Sequence, residues 1–361
     1  MAGETAISWA DSTLNPWYGC TKVSPACDHC YAERLMDHRM HKVQWGAGQA
    51  RQRTSAANWR LPLAWEKRAF VACPACGWRG DHTALRHDGG AHFCPHCGND
   101  EWRPARRRVF CASLADVFDN EVDPAWRLDL FRLIAATPSI DWLLLTKRIG
   151  NATLMLADVR GLAAEYLAPF PWPNVWIGAT ICNQEEADRD IPKLLATPAA
   201  VRFVSIEPML GDIRLGSWLQ RSPSAAFEAG RVTADMPAWT RIGSTALDWV
   251  ICGGESGPHA RPMHPDWVRS LRDQCAAAGV PFHFKQIGEW VSPGDTAFGR
   301  SPFREVVLLR PDGSVVDPAS PEAQDENADV ITMARVGTKA AGRLLDGIEH
   351  NGVPGNAGAS R

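Results

Sequence analysis

The sequence is poor in tyrosine, in net charge and in long apolar runs. Its 361 residues include 3 tyrosines, against 16 tryptophans. No stretch approaches the roughly 18 consecutive apolar residues of a membrane-spanning helix, so we expect no membrane span. The first residues have neither the basic stretch nor the apolar core of a secretory signal. A net charge of −3 excludes a general polycation, so nucleic-acid binding would require a local basic patch.

The remaining composition is typical of a globular protein, except for cysteine. Apolar residues make up 45% of the chain and charged residues 22%, and the length allows one large domain or two ordinary ones. The 11 cysteines are many for a chain without a secretory signal, and they indicate metal binding rather than disulfides. Four of them are isolated, and we expect these to pack in the core as small apolar groups. They are Cys111, Cys182, Cys252 and Cys275.

Four other cysteines have the spacing of a structural zinc site. Cys73 and Cys76 form one C-x2-C pair, and Cys94 and Cys97 form a second pair after 17 intervening residues. Each pair lies in a C-P-x-C-G turn that directs two thiolates at one point. Two such turns complete a tetrahedral site with zinc–sulfur distances of about 2.3 Å. A redox dithiol would need only one such pair, so we predict a zinc ribbon that leaves no position open for a substrate.

The remaining three cysteines are Cys20, Cys27 and Cys30, in a C-x6-C-x2-C pattern on one loop. Three thiolates leave one metal position open. An iron–sulfur cluster held by three cysteines has one iron free to bind another group. A second zinc site, with His29 or a distant residue as the fourth ligand, fits the spacing equally well.

Short apolar runs recur along the chain and end in polar residues, as expected for strands buried on both faces of a parallel sheet. Six such strands are predicted at 108–116, 141–148, 174–180, 201–207, 248–255 and 280–286. A seventh, weaker strand is predicted at Thr5–Trp9. Helical patterns begin after Asp123 and at His264, and the second ends at Gly279. This alternation predicts an α/β fold with a full or partial (β/α) barrel.

Polar residues stand at the ends of these strands, where the mouth of a (β/α) barrel holds its active site. They are Asp116, Lys147, Arg148, Thr180, Glu207, Glu255, Lys285 and Gln286. Each one alone is explained equally well as a helix cap or a surface charge. Together they predict a polar, ligand-binding mouth, with the three-cysteine loop after the first strand on the same side.

Seven segments carry a resemblance to a known family and cover most of residues 9–290. They read NPWYGCTKVSPACDHCYAE, CASLADVF, LLLTKR, NVWIGAT, FVSIEPMLG, WVICGGESGPHARPM and AGVPFHFKQIGEW. The chain resembles the three-Cys-motif phage proteins, a radical-SAM-like family of unknown function. The resemblance implies a partial (β/α) barrel of the radical-SAM type, located in the cytoplasm of a bacterium or a phage-infected host. It also implies a [4Fe–4S] cluster held by Cys20, Cys27 and Cys30, with S-adenosylmethionine on the open iron.

The resemblance also suggests roles for residues at the mouth. Tyr31 follows the third cysteine and is expected near the cofactor, as is Thr180. The Gly-Gly-Glu that usually receives the methionine amino group is absent from the second strand, where Ser113 and Asp116 take its place. The Gly-Gly-Glu that ends at Glu255 lies on a late strand and is not its equivalent. Candidates for the catalytic groups are Lys147, Arg148 and Lys285, which suit an anion, and Glu207 and Glu255, which suit ribose hydroxyls or an amine.

The predicted domains follow from these patterns. The partial barrel is assigned to residues 1–70 and 106–292, and the zinc ribbon is inserted at 71–105. Residues 293–361 form a C-terminal extension that we expect to be partly disordered. One helix is predicted within 329–345, and disorder is predicted from Asn351 to the end.

Residues 51–108 hold eleven Lys or Arg against five Asp or Glu, while the rest of the chain is acidic. Interleaved tryptophans make this stretch a candidate for binding nucleic acid, although a solvated basic face explains it equally well. The favoured function is a radical-SAM-like iron–sulfur enzyme that forms a 5′-deoxyadenosyl radical, uses an external electron donor and acts on a nucleic-acid base or modified nucleotide. Two alternatives remain: a zinc-ribbon nucleic-acid-binding protein without catalysis, and an iron–sulfur protein that does not use S-adenosylmethionine.

Overall fold

The structure is a computed structural model that describes residues 5–163, 170–220, 246–293, 305–324 and 329–355. Within these ranges no helix combines the length and the apolar character needed to cross a lipid bilayer. The described strands, in chain order, are β1 (Ser12–Leu14), β2 (Trp17–Tyr18), β3 (Gln52–Arg53), β4 (Phe70–Ala72), β5 (Arg79–Asp81), β6 (Arg86–Asp88), β7 (Ala91–Phe93), β8 (Arg103–Pro104), β9 (Arg107–Cys111), β10 (Ile140–Thr146), β11 (Val175–Thr180), β12 (Val201–Ile206), β13 (Trp249–Gly253), β14 (Phe282–Gln286), β15 (Trp290–Val291), β16 (Val306–Leu309), β17 (Val315–Val316) and β18 (Ile331–Arg335). The α-helices are α1 (Tyr31–Glu33), α2 (Ala56–Glu66), α3 (Pro124–Ala135), α4 (Ile149–Ala163), α5 (Gln184–Ala196), α6 (Pro265–Ala278) and α7 (Thr338–Ala341).

Seven parallel strands form the main sheet, in the order β1-β9-β10-β11-β12-β13-β14. The sheet curls into a half-barrel, and α3 to α6 connect successive strands, so the fold is mixed α/β as predicted. The six strands predicted with the clearest patterns are confirmed. Asp123 and His264 cap α3 and α6 through their side chains, and Gly279 ends α6 with a φ of 66°. The seventh strand was predicted at the wrong place, because β1 begins only at Ser12.

The two faces of the main sheet have different partners because successive side chains of a strand point to opposite sides. One face packs under the helices through residues such as Val109, Leu144 and Ile177. The other face lines the lumen of the half-barrel, where aromatic rings fill the end nearest the start of the strands. These rings belong to Trp9, Phe110, Trp176, Phe203 and Trp249. We refer to them as the aromatic plug.

The plug explains why Thr5–Trp9 resembles a strand without being one. Trp9 is buried, and its ring lies 4.6 Å from that of Phe110 and 6.2 Å from that of Trp249. Trp9 is therefore apolar because it packs in the lumen, and not because it belongs to a strand. Gly178 makes room for the plug, since a Cβ there would lie 2.4 Å from the ring of Phe203.

The four-cysteine module is formed by β4 to β8 and leaves the barrel between α2 and β9. It is attached at the end of the barrel where the strands begin. Arg79 of the module makes two hydrogen bonds to Asp11, of 2.9 and 3.0 Å, and Asp81 pairs with Arg107 at the start of β9. The module therefore lies at the end opposite to the mouth.

The C-terminal segment corrects two predictions. The helix predicted within 329–345 is instead β18, followed by the short helix α7, because the β-branched run Val330-Ile331-Thr332 extends and pairs with β16. Asn351 and Gly352 are ordered against β14, where the Gly352 amide donates to the Phe282 carbonyl at 2.9 Å. The described parts of the extension form an antiparallel sheet, in the order β15-β18-β16-β17. Residues 294–304, 325–328 and 356–361 of the predicted extension, and 221–245 between β12 and β13, lie outside the described residues.

Candidate functional site

The four cysteines of the inserted module converge on one point. One ligand atom from each of Cys73, Cys76, Cys94 and Cys97 lies within 4.8 Å of all the others. The closest sulfur pairs are Cys73 with Cys97 at 3.7 Å and Cys76 with Cys94 at 3.6 Å. Four sulfurs at 2.3 Å from a central ion in a regular tetrahedron are about 3.8 Å apart. The four cysteines can therefore hold a metal ion.

The three-cysteine loop lies at the opposite end, over the mouth where the parallel strands finish. It follows β1 and β2 and contains a 3₁₀ turn at Pro25–Cys27, which Ser24 caps by accepting a hydrogen bond from the Ala26 amide. Cys30 is the residue at which α1 begins. Burial raises the pKa of its thiol, and the backbone of Glu33 and Ala32 and the nearby Lys147 partly offset this effect.

Cys20 is joined to the end of β10 by Arg148. An Nη atom of Arg148 lies 3.2 Å from the Cys20 sulfur, and the other donates to the Thr21 carbonyl at 2.7 Å. Burial, together with the charge of Asp116, raises the pKa of Cys20 to about 12 despite this cation. As a free thiol Cys20 therefore stays protonated at neutral pH, and only a bound cation would stabilise its thiolate.

Asp116 is fully engaged inside the protein. Its two carboxylate oxygens accept from the Thr146 hydroxyl at 2.7 Å, the Phe118 amide at 2.9 Å, the Lys147 amide at 3.0 Å and Arg148 at 3.2 Å. The residue is 4% exposed. In this arrangement the carboxylate positions the segment after β10.

Glu255 holds the three-cysteine loop from the other side of the mouth. It makes a two-pronged ion pair with Arg261, with distances of 2.8 and 2.7 Å. The same guanidinium donates to the carboxylate of Asp28 at 3.0 Å and to the Pro25 carbonyl at 2.9 Å. His29 lies beside it, with Nδ1 3.1 Å from Glu255. Burial would raise the pKa of Glu255, but the hydrogen bonds from Arg261 and the nearby His29 ring hold it below its usual value.

The remaining charged candidates differ in what they contact. Lys285 pairs with Glu207 at 2.5 Å on the lumen side of the mouth, and Gln286 donates to the same carboxylate at 3.4 Å. Lys147, by contrast, makes no side-chain hydrogen bond or ion pair within the described part of the chain. Lys147 is therefore a cation at the mouth that is available to bind an anion.

The residues predicted to bind the cofactor also differ in their contacts. The Tyr31 hydroxyl donates to the Ser113 carbonyl at 2.6 Å, and the Ser113 hydroxyl contacts the side chain of Asn15. Thr180 is buried at the end of β11, where its Cα pairs with that of Ser205 on β12. Thr180 shares the lumen side of its strand with Trp176 of the plug, by the alternation of side chains.

Sequence reasoning missed Arg51. Its side chain is 1% exposed, and it donates to Asp119 at 2.8 Å and to the Thr21 hydroxyl at 2.8 Å. It thereby fixes the loop beside Cys20 from a second direction. Arg51 lies in a Gly-rich stretch without helical or strand periodicity, so no local pattern signals this role.

The four isolated cysteines are all buried, as predicted. The basic stretch at 51–108 is less available than its composition suggests, because seven of its eleven cations form ion pairs. These are Arg51, Arg53, Arg68, Arg79, Arg106, Arg107 and Arg108. Its tryptophans are also engaged in packing: Trp65 is buried, and Arg53 covers the ring of Trp59 at 4.3 Å.

One family model matches residues 4–354, nearly the whole chain. No curated protein and no solved structure matches it. Since the matched region includes both the three-cysteine loop and the four-cysteine module, the family model spans every feature of the two candidate sites. The chain belongs to the family described as "Protein of unknown function (DUF5131)".

Proposed function

We propose that this protein is a radical-SAM-like iron–sulfur enzyme whose cluster is held by Cys20, Cys27 and Cys30. The observation that carries the proposal is the position of the three-cysteine loop over the carboxyl-end mouth of a parallel half-barrel. That end is where (β/α) barrels place their active sites. The segments that resemble the three-Cys-motif phage proteins supply the loop, the strands and the polar strand ends together.

The donor set suits a cluster better than a single ion. Among the described residues, the sulfurs of Cys20, Cys27 and Cys30 do not form a group within 4.8 Å of one another, whereas those of the inserted module do. Thiolates that bind different irons of a cluster lie farther apart than thiolates on one ion. Arg148 supplies a donor to the sulfur of Cys20, and such donors are usual around iron–sulfur sites.

A reduced cluster of this kind, when bound, supplies the electron that cleaves S-adenosylmethionine to the 5′-deoxyadenosyl radical. The chain's own residues would orient the reactants. Lys147 would bind a carboxylate or phosphate group at the mouth. Glu207, with Lys285, would accept a hydroxyl or amine from the lumen side. The aromatic plug would exclude water that enters the lumen from the end where the strands begin. A nucleic-acid base or modified nucleotide is the substrate class we propose, because Lys147 at the mouth suits a phosphate-bearing substrate.

For the four-cysteine module we propose structural zinc, in a zinc ribbon. The sulfur–sulfur distances of 3.6 and 3.7 Å agree with a tetrahedral S₄ site, and all four positions are occupied by thiolates. Cys94→Ser should remove one zinc ion per chain and lower the melting temperature. Cys275→Ser, at an isolated buried cysteine, should leave the zinc content unchanged. Full zinc retention in Cys94→Ser would contradict the assignment.

The central test is a metal analysis of protein prepared without oxygen, followed by titration with S-adenosylmethionine. We expect about four irons per chain and reductive cleavage of S-adenosylmethionine, both lost in Cys27→Ala. Cys275→Ala is the matched control, because it removes a buried thiol of α6 that is outside both cysteine groups and should keep the iron. Iron-free protein would overturn the proposal.

A second candidate function is an iron–sulfur protein that does not use S-adenosylmethionine. The specific observation in its favour is Asp116, whose four internal hydrogen bonds leave little capacity for a methionine amino group. The same titration separates the two: four irons without binding of S-adenosylmethionine would select the second candidate. Two zinc ions and no iron would select the zinc-only nucleic-acid-binding alternative.

A further inference from the structure

We propose that the cleft between the four-cysteine module and the beginning of the barrel strands binds a phosphate-bearing ligand. The cleft has a volume of about 1290 Å³ and is bordered by the start of β1, β9 and β14 and by the turn after Cys76. The aromatic plug separates it from the three-cysteine mouth. The proposal therefore does not depend on the chemistry at that mouth.

The cleft is rich in positive charge. Its lining includes Arg68, Arg79, Arg107, Arg108 and Arg343 but only two carboxylates, those of Asp11 and Asp81. Arg343 also pairs with Glu349 at 3.8 Å, which leaves an excess of two positive charges. Like-charged groups crowded at a concave surface with buried walls strongly favour a bound counter-charge.

The two carboxylates are too few for the arginines around them. Asp11 is committed to Arg79 through two hydrogen bonds and to the backbone amide of Arg108 at 2.8 Å. The Nε of Arg108 is left 3.7 Å from the same carboxylate, beyond hydrogen-bond distance. Asp81 is likewise shared between Arg107 and Arg68. One negative charge thus serves two guanidinium groups on each side of the cleft.

Unsatisfied donors mark the floor of the cleft. The Nε atoms of Arg107 and Arg108 have no hydrogen-bond partner, although these residues are only 7% and 8% exposed. The Nδ1 of His283, on the adjoining β14, also lacks a partner. A buried cation without full compensation is costly, and such groups are normally paired. Burial and the nearby Arg79 lower the pKa of Arg108 to about 10, which agrees with an incompletely compensated guanidinium.

The shape of the floor limits where a ligand can bind. The Arg107 guanidinium is backed by aromatic rings, 4.4 Å from the centroid of Phe70 and 5.6 Å from that of Trp65. A metal ion on four thiolates would carry a formal charge of about −2 at the rim near Cys76. An anion is therefore expected at the floor, near Arg108, rather than at the rim.

A phosphate group fits this site better than a carboxylate. Guanidinium forks match phosphate oxygens, and the excess of positive charge suits an anion with more than one charge. The volume exceeds that of an inorganic ion and is large enough for a nucleotide-sized ligand. The phosphate can belong to a free nucleotide or to a nucleic-acid strand, since both present the same oxygens.

The test is calorimetric titration of the full chain with three probes: inorganic pyrophosphate, a nucleoside triphosphate and a short single-stranded oligonucleotide. We expect pyrophosphate to bind at low salt and Arg108→Gln to weaken this binding about tenfold or more. Arg68→Glu changes an exposed side chain of the same cleft and should weaken binding about threefold while the protein remains folded. Tighter binding of the triphosphate would identify a free nucleotide, and tighter binding of the oligonucleotide would identify a strand.

Arg60→Glu is the matched control. Arg60 is exposed on α2, does not line the cleft, and its substitution changes the net charge by the same amount as Arg68→Glu. Binding to this variant should change less than about twofold. Equal weakening by Arg60→Glu and Arg68→Glu, or no binding of any of the three probes, would overturn the proposal.

Discussion

The guanidinium of Arg148 lies 3.2 Å from the sulfur of Cys20, although the two residues are 128 positions apart. Arg148 follows β10, and Cys20 opens the three-cysteine loop after β1 and β2. The contact joins the loop to the mouth of the barrel. It also makes a residue that sequence reasoning assigned to catalysis part of the framework around the first cysteine.

Replacing Arg148 should destabilise the fold. The Arg148 side chain is 7% exposed and lies 3.2 Å from Asp116 and 3.9 Å from Asp119. Arg148→Met would leave the buried carboxylate of Asp116 without its cation, whereas Asp119 keeps Arg51, and such a loss costs about 3–5 kcal/mol of unfolding free energy. Chemical denaturation would measure this. Arg132→Met, at a half-exposed helix position, should change stability by less than about 0.5 kcal/mol. A loss below about 1 kcal/mol for Arg148→Met would contradict the structural role.

Arg261 and Glu255 should be strongly coupled. A double-mutant cycle with Arg261→Gln and Glu255→Gln is expected to give a coupling free energy of about 1–3 kcal/mol. The exposed pair Arg214 and Asp212 is the matched control and should give at most about 1 kcal/mol. Equal coupling free energies in the two pairs would show that burial at the mouth does not strengthen the Arg261–Glu255 interaction.

The same pair predicts a pH dependence. The pKa of Glu255 is lowered in the folded protein, so the unfolded state takes up a proton first as the pH falls. The stabilisation is therefore complete above the ordinary pKa of 4.5 and is lost as the pH falls through the lower folded value. Denaturation midpoints between neutral and acidic pH should fall less steeply for Glu255→Gln than for the unchanged protein. Parallel curves for the two proteins would rule out this contribution.

His283 should make the stability of the protein depend on pH in a range above that of Glu255. Burial, and then the positive charges of Arg343, Arg108 and Lys285, lower its pKa from 6.5 to about 3. The unfolded state binds this proton first, so stability should decline by about 1.4 kcal/mol per pH unit below about pH 6. His283→Asn should make the stability curve shallower by about one proton. His38→Asn, at an exposed position, should leave the slope unchanged, and an unchanged slope in His283→Asn would disprove the prediction.

Two glycines should respond oppositely to alanine. A Cβ at Gly254 would lie 1.9 Å from the Ile287 carbonyl oxygen, so Gly254→Ala must displace backbone and should cost about 3 kcal/mol or more. Gly161 lies in α4 with nothing within 4 Å of its would-be Cβ. Gly161→Ala should therefore stabilise the protein by about 0.5–1 kcal/mol. Thermal denaturation would measure both. Effects of the same sign would contradict the close approach at Gly254.

The parts of the fold that were predictable are those whose patterns are local. The runs that form β9 to β14 are apolar on both faces, and Asp123, His264 and Gly279 mark helix ends. The local sequence of each segment is therefore enough to predict its secondary structure. The strand predicted at Thr5–Trp9 and the disorder predicted from Asn351 were wrong. In both cases the conformation depends on a partner that is distant in the sequence. Trp9 packs against Phe110, and Asn351 pairs with His283.

The candidate site shows the same division. Cysteine spacing identified both groups of thiols, and the strand ends identified the polar residues of the mouth. Spacing does not reveal that Arg148 and Arg261 hold the loop, that Glu207 pairs with Lys285, or that Lys147 is left available. These contacts depend on which strand ends meet when the sheet curls.

Periodicity and spacing are properties of neighbouring residues, so the amino-acid order alone specifies the succession of strands and helices and the two sets of cysteines. The location of the two cysteine sets at opposite ends of the barrel, with aromatic rings between them, is visible only in the folded protein. This arrangement arises because the parallel strands all run in one direction. The loop after β1 therefore falls at their carboxyl ends, while the module that precedes β9 is held at their amino ends by Asp11 and Arg107.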